Sequence, residues 1–312
     1  MSGGLLLAHF YSQPWAVLDE TYLTMRSVLH RWASGSAIDH GVIDRIQADK
    51  SVRSMRMAES MQAGGSGVAV LPLYGILVQR GQVEDVSGPG VTSLQQFASN
   101  FRNAVDDAAV SSILIDIDSP GGGVFGVGEL ADEIRACKKP VVAIANAMAA
   151  SAAYWIGSAC KEFYCTPSGL VGSIGVFSCH WDESKALEME GLNPTIISAG
   201  KYKVEGHSYG PMDEECASFV QSTVDAYYGQ FVAAVSKGRG VPVAAVRDGM
   251  GQGRTLLAKD ALSEKMIDGI LSFGDLTKKM VSKTFVDGRS ANTQSHQQAR
   301  LNSAKRNISL LA

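Results

Sequence analysis

Ser111-Ser112-Ile113-Leu114-Ile115-Asp116-Ile117-Asp118-Ser119-Pro120-Gly121-Gly122-Gly123 is the stretch on which the reading of the fold turns. Residues 113–117 are almost continuously apolar, the pattern of a strand covered on both faces rather than the alternation of a half-exposed one. The strand is expected to end at Asp118, with the glycine run as the turn that follows it. Upstream, Val68–Leu73 reads as a strand, and Val91–Ala109 has helical periodicity through Leu94, Phe97, Phe101 and Val105. Downstream come a helix over Gly126–Cys137, a strand over Val141–Ala145 and a small-residue helix from Ala149. Strands alternating with helices of this length predict an α/β fold, with a mostly parallel sheet and helices outside it. Further on, Cys216, Phe219, Val220, Thr223, Tyr227, Phe231, Ala234 and Val235 mark one stripe of a long helix. Gly238 is expected to cap it.

The chain divides into three parts on this reading. Residues 1–66 form an arm whose Tyr22, Met25, Leu29 and Trp32 fall on one helical stripe, closed by a turn at Ala63–Gly67. Residues 67–275 form the core. Residues 276–312 are a tail, polar from about Val286 and expected to be flexible. With 312 residues and 46% hydrophobic content there is material for a sizeable core, which excludes a wholly disordered or collagen-like chain. The net charge of −3 offers no basic field for nucleic acid or an anionic membrane. Five cysteines, odd in number and without C-x-x-C spacing, point to a reducing compartment and a cytoplasmic location. Pro140–Cys160 lacks charge over a length that could span a bilayer, but Ala, Ser and Gly dominate it, so a buried strand and helix are expected there instead.

Two segments carry candidate chemistry. The backbone N–H groups of a glycine run can be approached closely and can hold a developing oxyanion. The run is neither G-x-G-x-x-G nor a phosphate-binding Gly-Lys-Ser/Thr loop, so no nucleotide cofactor is expected, and no metal. The second segment is Met148-Ala149-Ala150-Ser151-Ala152-Ala153-Tyr154, a serine among alanines where a helix begins. Small neighbours give a nucleophile a clear approach, and the unpaired N–H groups of the helix start favour negative charge. None of the six histidines sits in a His-Asp context that would suggest a triad. Lysine is the other partner serine uses. Lys201 and Lys203 follow Thr195-Ile196-Ile197, which reads as a strand. A lysine base must be neutral, and moving its pKa down to neutrality takes roughly 4 kcal/mol of burial or neighbouring charge. Ser173 in Gly172-Ser173-Ile174-Gly175-Val176 is a candidate to aim the amine.

Taken together, residues 115–122, Ala149–Ile156, Val171–Val176 and Ser198–Lys203 resemble the signal peptide peptidase A (protease IV) family of serine proteases, and more closely its tailed-phage head maturation branch. Gly238-Arg239-Gly240, Gly253-Arg254 and Ala258–Asp268 fit the same pattern, so the resemblance spans roughly 67–275. It implies a Clp-protease/crotonase-like fold of repeated strand-helix units and a Ser-Lys dyad. By motif the nucleophile falls on Ser151, the general base on Lys203 rather than Lys201, the positioning serine on Ser173, and the oxyanion donors on the Gly122 and Ala152 N–H groups. The resemblance further implies a polypeptide substrate among capsid, scaffold or portal proteins, and a ring-shaped homo-oligomer in which neighbouring protomers complete the dyad. Pro14-Trp15 before the arm helix also matches the phage branch. The alternatives are a soluble cellular peptidase of the same family and a catalytically silent capsid assembly module.

Overall fold

The computed structural model describes residues 10, 13–33, 67–80 and 91–282. Residues 63–66 of the expected turn and the tail beyond 282 lie outside these, as does the side chain of Trp32. In chain order the elements are β1 (Trp15–Val17), α1 (Asp19–Ala33), β2 (Val68–Val78), β3 (Val91–Ser93), α2 (Leu94–Asp106), β4 (Ser112–Gly123), α3 (Val127–Ala136), β5 (Val141–Ala150) and α4 (Ala152–Ser158). There follow β6 (Glu162–Cys165), β7 (Leu170–Gly172), α5 (Ser184–Met189), α6 (Glu214–Arg239), α7 (Val243–Asp248), β8 (Thr255–Leu257), α8 (Ala258–Ser263) and β9 (Gly269–Ile270). A last helix, α9, covers 273–282.

Among these elements one sheet runs β3-β2-β4-β5-β6-β9, all neighbours parallel. Strand β7 extends it beside the C-terminal end of β5, while β1 and β8 join antiparallel. The expected α/β architecture of strand-helix units around a mainly parallel sheet is therefore present. Side chains alternate across β4, and both faces are covered. Ile113, Ile115 and Ile117 point into a core shared with Leu94, Phe97 and Phe101 of α2, Val127, Leu130 and Ile134 of α3, and Trp155 of α4. Leu114 points the other way, onto Val68, Val70, Val142, Ile144, Leu276 and Met280. On that second face Tyr74 Oη donates a hydrogen bond to the buried Asp116 carboxylate.

Several expectations change. Strand β4 does not stop at Asp118 but runs through the glycines to Gly123, because β2 pairs with Gly121 and Gly122 and β1, distant in sequence, pairs with Gly121–Gly123. Helix α6 passes through Gly238 and ends at Gly240, whose φ of 62° is the left-handed cap. Gly238 serves close packing instead: a Cβ there would lie 2.1 Å from Ser158 O of α4. The ordered chain also runs past the boundary placed at 275, since Leu276 and Met280 of α9 cover the second sheet face.

Helix α6 is fastened at its C-terminal end. Arg239, nearly buried, donates to both carboxylate oxygens of Asp268 at 2.9 and 2.7 Å and to Lys265 O at 3.1 Å. Asp268 Oδ2 also accepts the Phe163 N–H of β6 at 2.7 Å. Burial opposes ionisation of Asp268, but the Arg239 bonds and the Phe163 N–H outweigh it and hold the carboxyl below its ordinary pKa. Such a group stabilises the fold above the ordinary carboxylate range, and this contribution is lost as pH falls through its folded-state value. Arg239→Ala should therefore cost about 2–3 kcal/mol of unfolding free energy. The gap in urea midpoint between wild type and Asp268→Asn should narrow as pH drops from about 7 to about 3. A gap that stays constant over that range would remove Asp268 from the account.

Candidate active site

Ser151 occupies the single residue between the end of β5 and the start of α4. Its backbone, at φ 56° and ψ −121°, is a conformation that a residue with a Cβ adopts only at a cost of order 1–3 kcal/mol. Two hydrogen bonds hold it there. The Ser151 N–H donates to Gly172 O of β7 at 2.7 Å, and Ser151 O accepts the Trp155 N–H of α4 at 2.9 Å. The turn reverses the chain sharply, so that Ala152 becomes the first residue of α4 with its N–H outside the helix's own ladder. Helix α4 is buried throughout; Trp155 stacks on Phe231 of α6 at 4.7 Å, and Tyr154 Oη donates to Met266 O at 3.0 Å. The small residues of the segment thus serve close packing and also leave Ser151 between two strands, 1% exposed.

Ser173 stands one step beyond the Ala150–Gly172 pair of β5 and β7. It is also buried, and its φ of 53° is again strained. Its N–H donates to Arg254 O at 2.8 Å, which ties it to the start of β8. On the other side of Ser151 lies the glycine run. A Cβ on Gly121, whose φ is 101°, would meet Ala16 O at 2.3 Å and the Ser151 Cβ at 2.9 Å, and one on Gly122 would meet Leu77 O at 1.9 Å. Glycine is required at both positions, and its absence of side chain lets β4 lie against the serine. Ser151, Ala152, Ser173, Gly121 and Gly122 are accordingly gathered in one place. Gly121 and Arg254 have no individual role in the sequence reading; Arg254 contributes only its carbonyl, for which a side-chain pattern carries no signal.

Lys203 is not gathered with them. The strand expected over Thr195–Ile197 does not form, and Lys203 sits exposed in a turn over 201–206, its N–H donating to Gly200 O at 3.2 Å. Among the described residues no hydrogen bond joins it to Ser151 or Ser173. No strand among those residues pairs with 195–197, and every residue from 188 to 203 is exposed, including Met189, Leu192, Ile196 and Ile197, the last at 95%. An apolar, β-branched segment without a neighbouring strand stays extended but unpaired. Lys201 is held otherwise, donating to Glu215 Oε1 at 2.7 Å and to Tyr202 Oη at 2.8 Å. The Glu215 carboxylate, then Tyr202, raises its pKa and favours the protonated amine. No three His, Cys, Asp or Glu side chains among the described residues converge as a metal-binding set. None of the helices described is long and apolar enough to cross a membrane.

Residues 133–287 match Peptidase family S49. The capsid assembly protease C of Escherichia phage lambda is 36% identical over 195 residues, covering 62% of this chain and 44% of the relative. The head-tail preconnector protein GP5 of Enterobacteria phage P21 is 35% identical over 184 residues, covering 58% and 36%. The chain thus matches less than half the length of either. A solved structure of the 1510-N membrane-bound stomatin-specific protease superposes with a TM-score of 0.42 at 15% identity, over 68% of this chain and 83% of that one.

The glycine geometry separates three adjacent substitutions. Gly121→Ala and Gly122→Ala should each lose at least about 2 kcal/mol of stability along with any activity, because the new Cβ meets backbone. Gly123→Ala, whose Cβ would meet only the Gln13 side chain at 3.2 Å, should stay within about 1 kcal/mol of wild type. Equal losses at all three, measured by urea unfolding, would contradict the packing described here.

Proposed function

We propose that this chain, which carries a Peptidase family S49 domain, is a serine endopeptidase working through a Ser151–Lys203 dyad. The observation that carries the proposal is the Ser151 backbone: a buried serine, strained into a left-handed conformation at the start of a helix, facing glycines on the neighbouring strand. Strain of this kind persists where the surroundings over-determine it, and it clusters at sites of chemistry.

Neutral Lys203 takes the proton from Ser151 Oγ as the oxygen adds to the scissile carbonyl carbon. The N–H groups of Gly122 and Ala152 receive the resulting oxyanion. Lys203 returns the proton to the departing amine, the C–N bond breaks, and a water hydrolyses the serine ester with Lys203 again as base. Ser173 positions the lysine amine. Lys203 is preferred to Lys201 because Glu215 holds the Lys201 amine protonated.

An exposed lysine is cationic at neutral pH, so the proposal needs a source of burial. The unpaired 188–203 segment supplies a reason to look outside the single chain. Its exposed Met189, Leu192, Ile196 and Ile197, with Tyr202 and Phe219 nearby in sequence, are the kind of apolar surface that a neighbouring copy covers. The dyad is completed on that reading between protomers of a homo-oligomer, a closed ring by the repeated use of one interface. The substrate is polypeptide. Relatives named for capsid assembly and for a head-tail preconnector support capsid, scaffold or portal protein as the natural target, with processing during phage head maturation in the host cytoplasm or prohead.

Ser151→Ala and Lys203→Ala should each lower kcat/KM by roughly a thousandfold or more, with the double variant little worse. Lys201→Ala should retain most activity, and the wild-type rate should rise with pH as Lys203 deprotonates. An inactive Lys201→Ala beside an active Lys203→Ala would place the base on the wrong lysine.

Completion between chains has its own test. Activity per chain should fall on dilution, and mixing inactive Ser151→Ala with inactive Lys203→Ala should restore part of it once native mass spectrometry shows that subunits have exchanged. Exchanged mixtures without activity would mean that each chain holds its own complete dyad.

A further inference from the structure

Strand β1 lies along the glycines of β4 that face Ser151. Its register against β4 is antiparallel, with Trp15 opposite Gly123, Ala16 opposite Gly122 and Val17 opposite Gly121. The Leu18 N–H donates to Pro120 O at 3.1 Å and the Val124 N–H donates to Pro14 O at 3.5 Å. Hydrogen-bonded pairs alternate with non-bonded ones in an antiparallel ladder. Those two flanking bonds therefore make Ala16–Gly122 a bonded pair, which turns the Ala16 carbonyl toward the Gly122 N–H. The place a Gly121 Cβ would occupy is approached by Ala16 O, to 2.3 Å, and by the Ser151 Cβ, to 2.9 Å. The Ala16 carbonyl and the Ser151 side chain thus both lie against Gly121.

The opposite edge of β1 is paired as well. The Trp15 N–H donates to Phe177 O at 2.9 Å and the Phe177 N–H to Trp15 O at 3.0 Å. An extended segment paired through its backbone with a sheet strand is the way a peptide adds to a sheet. The arm holds itself there through its own aromatic cluster. Trp15 packs on Phe10 at 5.1 Å and Tyr22 at 5.9 Å, Tyr22 on Phe177 at 5.2 Å, and Trp15 Nε1 donates to Phe10 O at 3.0 Å. Arg26 of α1 lies over the Trp181 ring at 3.5 Å.

We propose that residues 14–18 are a tethered occupant of the peptide-binding cleft, held as a substrate is held, with the Ala16–Val17 bond in the place of the bond to be cut. This rests on the proposed endopeptidase reading and deepens it in two ways. A polypeptide substrate must displace the arm before it reaches Ser151. The cleft also selects a small residue immediately before the cleaved bond, because Ala16 is fully enclosed within the main core and its carbonyl already fills the space beside Gly121. A tethered occupant competes at an effective concentration in the millimolar range, so a free peptide that binds in the micromolar range is weakened by roughly a hundredfold or more.

The test is binding, read separately from catalysis. A fluorescent peptide with the sequence of residues 13–20 is titrated by anisotropy into full-length Ser151→Ala, alone and combined with Trp15→Ala or with Ala16→Pro. Trp15→Ala removes the centre of the aromatic cluster, and Ala16→Pro removes the N–H that pairs with Gly122 while leaving that cluster in place. Both combinations should bind the peptide at least roughly tenfold more tightly than Ser151→Ala alone, and a peptide with Phe in place of its Ala should bind far more weakly to all three. Equal or weaker binding by both arm variants, with circular dichroism and melting unchanged, overturns the proposal; so does equal binding of the Phe peptide. If the arm variants bind more tightly but Ser151→Ala still cuts protein, the serine mechanism fails and the occupied cleft survives. If Ser151→Ala is inactive and wild type active, yet the arm variants gain no affinity, only the occupancy fails.

Discussion

The conformation of Ser151 depends on the hydrogen bond from its N–H to Gly172 O. That bond continues the β5–β7 ladder one residue past the end of β5, while the next residue already starts α4. The backbone must turn from strand to helix within one position, and the left-handed φ follows from that demand. A buried helix pinned at Trp155, Tyr154 and Gly157 cannot relax the turn by shifting. The arrangement places the serine at a helix start, beside the Ala152 N–H that lies outside the helix's own ladder. The sheet contributes the rest, since Gly121 and Gly122 bring β4 close enough to face it.

Much of this architecture was legible in the sequence because it is written in local pattern. The run Ile113–Ile117 looks like a strand buried on two faces and is one, with Leu114 and its neighbours divided between two cores. The stripe drawn through Cys216, Phe219, Val220, Thr223, Tyr227, Phe231, Ala234 and Val235 follows the buried side of α6 except at Phe219, which is exposed. Features decided by distant partners were not legible. The glycines after Asp118 look like a turn, and their pairing with both β2 and β1 makes them strand. Gly238 and Gly240 are equally plausible caps by composition; contact with Ser158 O assigns the first to packing and leaves the second as the cap.

The same principle explains Lys203. Thr195-Ile196-Ile197 has the composition of a strand, but a strand exists only where another offers hydrogen bonds, and among the described residues none does. The segment is therefore exposed along its length, with the lysine at its end. An apolar contact that covers Met189, Leu192 and Ile197 would also exclude water from the end of the segment where Lys203 sits.

The central claim is that Ser151 is the nucleophile, and covalent labelling tests it most directly. The assembled wild-type protein is treated with a fluorophosphonate, digested and mapped by mass spectrometry. The account predicts a single stoichiometric adduct on the peptide containing Ser151, at a rate that increases with pH, and none in Ser151→Ala. Labelling at another serine, or an equal adduct in the Ser151→Ala protein, would contradict it.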